Sequence, residues 1–387
     1  MSITAATGFV AAGGHAGIKE SGEPDLAVVT TEDGRSVPAA GVFTANKMTA
    51  APVVVSKANL RAGTGLAAGV ILNSGNANAA TGEPGIDDAV EMCGLVASEL
   101  GCHQDHVLVC STGLIGYRLP MDPIRQAVPR LMGARSTDGG ADAAEAIRTT
   151  DSVRKEAEVR LEGFTVGGMA KGAAMLAPHL ATMLAVLTTD AEVEPRVLRE
   201  VLTEATACTF NELTVDGACS TNDTVLLLAS GRAGPVDGFT LAGAVTAVCE
   251  SLARQMNADA EGATKQVEIH VTGAASDAEA AQAARRVAES QLTKCSWYGE
   301  DPYWGRIASD LGSAGVRFDA ELVQICFGDV VVARRGMAVE HDEQAVADLM
   351  AQRELSITAD LGIGPGRARV LTNDLTHAYV DENMGTS

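Results

Sequence analysis

Short apolar runs without a polar interruption constrain this chain most. Val53–Val55, Gly69–Leu72 and Val107–Cys110 read as buried strands ending in turn-rich motifs. Helical spacing separates them, over Ile86–Leu100, Met121–Met132 and Asp142–Thr149. Val153–Val166 alternates apolar and polar residues as a hairpin does. Further on, Pro195–Thr209, Leu241–Met256, Asp277–Gln291 and Asp342–Gln352 read as helices. Strands are expected at Val225–Ala229, Val267–Val271, Val323–Phe327, Val330–Ala333 and Ala368–Leu371. Ala134–Ala141 is the most loop-like stretch. Helices and strands are thus mixed along the whole length, an α/β chain with no repeat and no obvious linker.

The 387 residues suffice for one large or two medium domains. Apolar residues make up 46% and charged residues 20%, which excludes a disordered chain. Fifty acidic residues against 29 Lys and Arg give a net charge of −21. Such a surface repels phosphate backbones, and no basic run interleaved with aromatics offsets it, so nucleic acid is not an expected partner. Eight cysteines stand singly with no CxxC pair, which reads as buried reduced thiols and not as a zinc site or disulfide frame. The first residues have neither a basic start nor a long apolar block and read as mature sequence. No stretch of about 18 apolar residues occurs, so no membrane span is expected and the cytoplasm follows by default.

The chemistry concentrates in Lys171–Asp190. Thr182 follows Ala181 inside an apolar segment, behind a glycine-rich run ending at Lys171. An internal threonine lacks a base and most often bonds its hydroxyl to backbone. If the Ala181–Thr182 bond is cut, the new α-amine, of pKa about 8, stands beside the hydroxyl and can take its proton. Ser111-Thr112-Gly113 follows an expected strand. By itself it is a turn signal, but a strand end opening into such a turn can aim an N–H and a hydroxyl at one oxyanion. Lys171 among small and apolar residues either snorkels or meets a carboxylate. Glu261, just past a long helix, reads alone as a solvated helix end.

The chain as a whole resembles the glutamate N-acetyltransferase (ornithine acetyltransferase) family of arginine biosynthesis. The motifs that carry this are Gly8–Lys19, Ala40–Asn46, Ile71–Gly82, Cys110–Met121, Thr149–Asp151, Lys171–Gly172 with Pro178 and Ala181–Leu184, Gly217–Gly231, Asp259–Lys265, Asp301–Arg306 and Asp374–Asn383. They run in order over essentially the whole length. The resemblance implies an N-terminal-nucleophile fold of the ornithine acetyltransferase and DmpA type, with layered sheets and helices. It implies self-cleavage at Ala181–Thr182 into an α chain, 1–181, and a β chain, 182–387, that share one interlocked body. Two chains of each kind would form a heterotetramer. Thr182 is the implied nucleophile, and the Thr112 hydroxyl and Gly113 N–H the implied oxyanion hole. Thr149, Lys171, Thr182, Glu261, Asn383 and Ser387 are the implied substrate contacts, with Thr150 and Thr386 open as alternatives to Thr149 and Ser387.

The resemblance also implies a ping-pong cycle. N-acetyl-ornithine acetylates Thr182, ornithine leaves, and glutamate takes the acetyl group, with no metal or prosthetic group required. Whether acetyl-CoA also serves as donor is left open. Same-fold alternatives are an amidase or aminopeptidase and an acyltransferase of secondary metabolism. The second is suggested by Tyr303, where the family has asparagine, and by a C-terminus, Met-Gly-Thr-Ser, that lacks the family's tyrosine. Ala174 replaces a family glycine. Three weaker features stand beside these. Gly362–Gly366 looks like a phosphate loop but reads as a hairpin turn. Asp216, Asn222 and Asp223 lack the spacing of a calcium loop. Asn73–Asn78 reads as a buried turn with satisfied amides, a candidate lining of the site.

Overall fold

The apolar run after Ala68 is a strand, Gly69–Asn73, in which every residue is buried. Its neighbours explain why. In the computed structural model, which describes residues 3–175 and 183–385, it lies inside a four-stranded sheet. The order is Phe9–Gly14, Leu26–Thr31, Gly69–Asn73, Val107–Ser111. The last two strands are parallel and the others antiparallel. Alternate residues point to opposite faces. Val70 and Leu72 enter one core cluster with Ala27, Val29 and Leu108. Ile71 enters another with Val28, Val107 and Val109, against helices Gly82–Leu100 and Met121–Ala134.

The first of these clusters also holds Met169, Leu184, Val186, Leu226 and Leu228 from a second sheet, so the two sheets pack face to face. The second sheet runs Leu66–Ala67, Val37–Phe43, Thr224–Pro235, Leu184–Glu192, Phe164–Lys171, Lys155–Leu161. Helix Gly238–Ala258 crosses it at Gly168, where an added Cβ would lie 2.9 Å from Val248 and 3.2 Å from Leu252. The layers are therefore helix, sheet, sheet, helix, a particular order within the layered sheets and helices that the resemblance implied. These elements form one compact unit, residues up to Asn211 with Ala218–Met256.

The other unit comprises Glu212–Gly217 and Asn257–Gly385. Its sheet is ordered Met337–Ala338, Val330–Arg334, Gln324–Phe327, Glu354–Asp360, Gln266–Ala274, Gly366–Asn373. Helix Asp277–Ala288 and Trp297, Ile307 and Leu311 cover it around one apolar core. Within it Lys294 is a buried tie. Its Nζ donates to the Val215 carbonyl at 2.7 Å, Asn373 Oδ1 at 2.7 Å and Thr372 Oγ1 at 3.1 Å.

Several expectations need correction. Val53–Val55 lies in a helix, Ala51–Ala62, with a proline in its first turn. Three apolar residues cannot distinguish the two periods. What decides is that Ser56 and Asn59, three apart, share a helical face and serve the edge strand. Ser56 Oγ donates to the Val109 carbonyl (2.7 Å) and accepts its N–H (2.8 Å), and Asn59 donates to the Val107 carbonyl (2.8 Å). Gly362–Gly366 is not a hairpin turn, because the strands it joins lie on opposite sides of Gln266–Ala274. Asp277–Gln291 breaks at Ser290, whose side chain accepts the Thr293 N–H and starts the separate helix Gln291–Tyr298. The thiols are all free, but Cys208 and Cys295 are exposed.

Candidate active site

Strand Val107–Ser111 delivers Thr112 and Gly113 to a crowded crossing. Thr112 is 3% exposed, and its N–H is taken by the Asn73 carbonyl at 3.0 Å. Of its two donors, the hydroxyl is the one left to act on a ligand. Gly113 has φ +128°, and an added Cβ would stand 2.3 Å from the Gly75 carbonyl carbon and 2.5 Å from Asn76 N. Glycine is therefore required twice, for the conformation and for the approach. Its N–H has no partner among the described residues.

Lys171 ends strand Phe164–Lys171, opposite Leu184 in the antiparallel register. It is 3% exposed, and its Nζ donates to Thr112 Oγ1 at 3.4 Å. A donor on that oxygen leaves the hydroxyl's own proton to point elsewhere. Lys171 Nζ also lies 3.8 Å from Asp151 Oδ2. Asp151 is fully buried. It accepts from Lys155 Nζ at 2.6 Å, Gly172 N at 2.7 Å and Thr149 N at 3.1 Å. Burial opposes its ionisation, but Lys171 and Lys155 outweigh burial and hold the carboxyl well below the usual range. Thr149 is half-buried in this cluster, whereas Thr150 is exposed.

A third strand enters beside these. Thr224–Pro235 runs parallel to Leu184–Glu192, with Thr224 opposite Leu184. Just before this pairing, Asp223 Oδ1 accepts the Met183 N–H at 3.0 Å, and Thr224 N donates to the Met183 carbonyl at 3.1 Å. Asn222 donates to the Ser111 carbonyl at 2.9 Å and the Ala77 carbonyl at 2.6 Å, tying this corner to the Thr112 strand. Asp223 is 0% exposed, and its Oδ2 has no hydrogen-bond partner among the described residues. Burial pushes its carboxyl well above the usual range, against the pull of the Met183 N–H and Lys171 among others.

In the other unit Glu261 is 6% exposed, and its Oε2 accepts from Asn383 Nδ2 at 2.7 Å. The Asn383 amide also donates to the Tyr379 carbonyl at 2.9 Å. Burial, with Asp216 and Glu261 nearby, pushes the Tyr379 phenol up to about 12. Tyr303 is 58% exposed, and its ring lies over Gly305. Thus Thr112, Gly113, Thr149 and Lys171 come together in one unit, and Glu261 and Asn383 in the other. Ala181, Thr182, Thr386 and Ser387 lie outside the described residues. The Asn73–Asn78 turn abuts Gly113, but Asn73 Oδ1 is buried without a partner among the described residues, so its amides are not all satisfied there.

Sequence reasoning missed Asp151 as a charge partner, Lys155, and the grip of Asp223 on Met183. Asp151 was visible only as the end of a Thr-Thr-Asp motif. Asp223 had been weighed only with Asp216 and Asn222 as a calcium signal and set aside on spacing; among the described residues no group of three or more His, Cys, Asp or Glu could hold a metal.

The sequence profile of the ArgJ family matches residues 10–385. The arginine biosynthesis bifunctional protein ArgJ of Streptomyces coelicolor is 48% identical over 389 residues, covering 100% of both chains. Its namesake in Mycolicibacterium paratuberculosis is 49% identical, covering 100% of this chain and 96% of its own. Among solved structures, a Bacillus halodurans ArgJ is 35% identical, with a TM-score of 0.49, over 51% of this chain and 95% of that one. An ornithine acetyltransferase from Mycobacterium tuberculosis, complexed with ornithine, is 43% identical, with a TM-score of 0.44, over 47% of this chain and 96% of that one. With a profile match over nearly its whole length and full-length relatives at almost half identity, this chain belongs to the ArgJ family.

Proposed function

We propose that this chain is a self-cleaving acetyltransferase of arginine biosynthesis that carries acetyl from N2-acetyl-ornithine to glutamate on Thr182. The observation that carries the reading is the meeting of the buried Lys171 Nζ and Thr112 Oγ1 with the Gly113 N–H, and no described residue accepts that N–H. Lys171 occupies a lone pair of Thr112 Oγ1, so the Thr112 proton and the Gly113 N–H are the donors left for a tetrahedral oxyanion. The Met183 clamp holds the chain one residue after Thr182.

In this reading Thr182 Oγ attacks the acetyl carbon of N-acetyl-ornithine, and its own amine, freed by cleavage, takes the proton. The anion collapses, ornithine leaves, and glutamate's amine takes the acetyl group in the reverse sequence. Thr149, Lys171, Glu261, Asn383 and Ser387 bind the substrate, with Glu261 meeting the ornithine ammonium and Lys171 a carboxylate. The full-length relatives at 48–49% identity are bifunctional proteins of arginine biosynthesis, which supports the reaction class.

Cleavage would leave an α chain, 1–181, and a β chain, 182–387. In the second sheet the strands Leu184–Glu192 and Thr224–Pro235 sit between strands from before the cut. The two chains would therefore stay joined by that sheet, and we take the working assembly to be two of each. No helix among the described residues is long and apolar enough to cross a membrane, which accords with a cytoplasmic enzyme.

Intact mass tests this directly. Purified protein should consist of two co-eluting chains, the second beginning at Thr182. A brief pulse of N-acetyl-ornithine should add one acetyl group to that second chain, and varying both substrates should give parallel initial-rate lines. Full activity in uncut protein, or intersecting lines, would overturn the reading. Acetyl-CoA in place of N-acetyl-ornithine, in the same assay, decides the second donor.

A further inference from the structure

The edge of the second sheet carries a hollow that the acetyl-transfer reading does not use. Its floor is strand Val37–Phe43, and its walls are helices Ala51–Ala62 and Pro195–Ala207. It exists because the edge is left open. Leu66–Ala67 pairs only with Val37 and Pro38, and the next floor residues are Ala39, Ala40 and Gly41. A Cβ added to Gly41 would lie 2.6 Å from the Phe43 ring and 2.9 Å from Leu60, so glycine leaves room for both side chains. The hollow measures about 570 Å³, a volume typical of small-molecule sites.

Its charge runs against that of the whole protein. The chain has 50 acidic residues and 29 Lys and Arg. Among the described residues, no acidic side chain lines the hollow and four cations do. Lys57 and Arg61 come from one helix, Arg196 and Arg199 from the other. Arg196 is partnered by Glu200 at 2.7 Å. Lys57, Arg61 and Arg199 pair with no carboxylate among the described residues. Lys57 Nζ instead stands 5.4 Å from the centre of the Phe43 ring, a cation over an aromatic face. Cations gathered without anions repel one another. Helix Pro195–Ala207 adds to the cost, because its first turn has no acidic residue and carries Arg196 at the positive end of the helix dipole. A multiply charged anion in the hollow relieves both penalties.

The same charges exclude the amino-acid substrates, whose ammonium groups would meet only cations here. Guanidinium forks match phosphate oxygens two at a time. Phe43, Leu60 and Pro195 offer an apolar wall beside them. We propose that this hollow is a binding site for an organic phosphate, its negative charges held by the arginines and its apolar body set against Phe43, Leu60 and Pro195. None of Thr112, Gly113, Thr149 and Lys171 lines it, and the inference stands whether or not Thr182 is the nucleophile.

The test is calorimetric titration of the purified full-length protein, cut or uncut, with ADP as the probe. ADP should bind with a Kd below about 1 mM at about 50 mM salt and several-fold more weakly at about 200 mM. Arg61→Gln combined with Arg199→Gln changes two exposed side chains and should weaken ADP at least about 20-fold. Arg335→Gln combined with Arg367→Gln removes the same charge from exposed positions that do not line the hollow, and should leave binding within about 2-fold. Inorganic pyrophosphate, which has no body for the apolar wall, should bind at least about 5-fold more weakly than ADP. Pyrophosphate binding as tightly as ADP would mean an adventitious ion only and would overturn the proposal. So would tighter binding of the dicarboxylate N-acetylglutamate, equal losses in the two double variants, or no binding of ADP up to about 5 mM.

Discussion

Replacing Asp151 by Asn tests the charge cluster behind the candidate site. The carboxylate is fully buried and stands 2.6 Å from Lys155 Nζ and 3.8 Å from Lys171 Nζ, which are 0% and 3% exposed. Its two oxygens also accept the Gly172 and Thr149 N–H groups. An amide can keep one of those backbone bonds, but two buried ammonium groups then lose the carboxylate they share. Removing one partner of a buried ion pair costs about 3–5 kcal/mol, because the desolvated charge left behind has no compensation. For a unit of this size that is a fall in Tm of roughly 6–20 °C. The native pKa is depressed, so the contribution is present above the unfolded carboxyl's value of about 4 and fades as pH falls toward the native value. Calorimetry of both proteins should thus show a wide gap near neutrality that narrows below about pH 4. Adding Lys155→Met to Asp151→Asn removes the nearer of the two charges and should recover about 1–3 kcal/mol, a non-additive pair. A single variant within about 1 kcal/mol of wild type, or strictly additive losses, would refute the claim that the cluster is held by charge.

Two other substitutions probe the proposed oxyanion donor and the carboxylate proposed to meet ornithine. Gly113→Ala forces a Cβ to within 2.3 Å of Gly75 backbone at φ +128°, so it should displace the Gly113 N–H and lower kcat by about two to three orders of magnitude, read by ornithine release. An active Gly113→Ala enzyme would remove that N–H from the oxyanion hole. Glu261→Gln keeps an oxygen for Asn383 but loses the charge. It should weaken N-acetyl-ornithine by about 2–5 kcal/mol and spare an analogue without the δ-amine, while Lys171→Met weakens both. Equal losses for the two ligands in Glu261→Gln would make Glu261 structural.

Amphipathic helices were legible because their period is local. Ile86–Leu100 and Met121–Met132 each fall within an observed helix, and the Val153–Val166 alternation is the paired strands Lys155–Leu161 and Phe164–Lys171. The motif-bearing residues were legible too. Thr112, Gly113 and Lys171, scattered over about 60 positions, come together in the structure. Val53–Val55 was misread because its environment, not its pattern, made it helical, through Ser56 and Asn59 reaching an edge strand roughly 50 residues away.

The sequence by itself determined the longer helices, the alternating hairpin, the acidic balance and the residue types able to perform acyl transfer, since these depend on composition and short-range spacing. Only the tertiary structure decided which charges are buried together. Nothing local distinguishes Asp151 or Asp223 from the many other acidic residues of this chain. Their chemistry arises where strands distant in sequence meet. The parallel pairing of Leu184–Glu192 with Thr224–Pro235 brings Asp223 to Met183, and the antiparallel pairing with Phe164–Lys171 brings Lys171 beside it. Desolvation and Coulomb interactions act through space over a few ångströms, so a carboxylate's strength is set by those neighbours and not by its place in the chain.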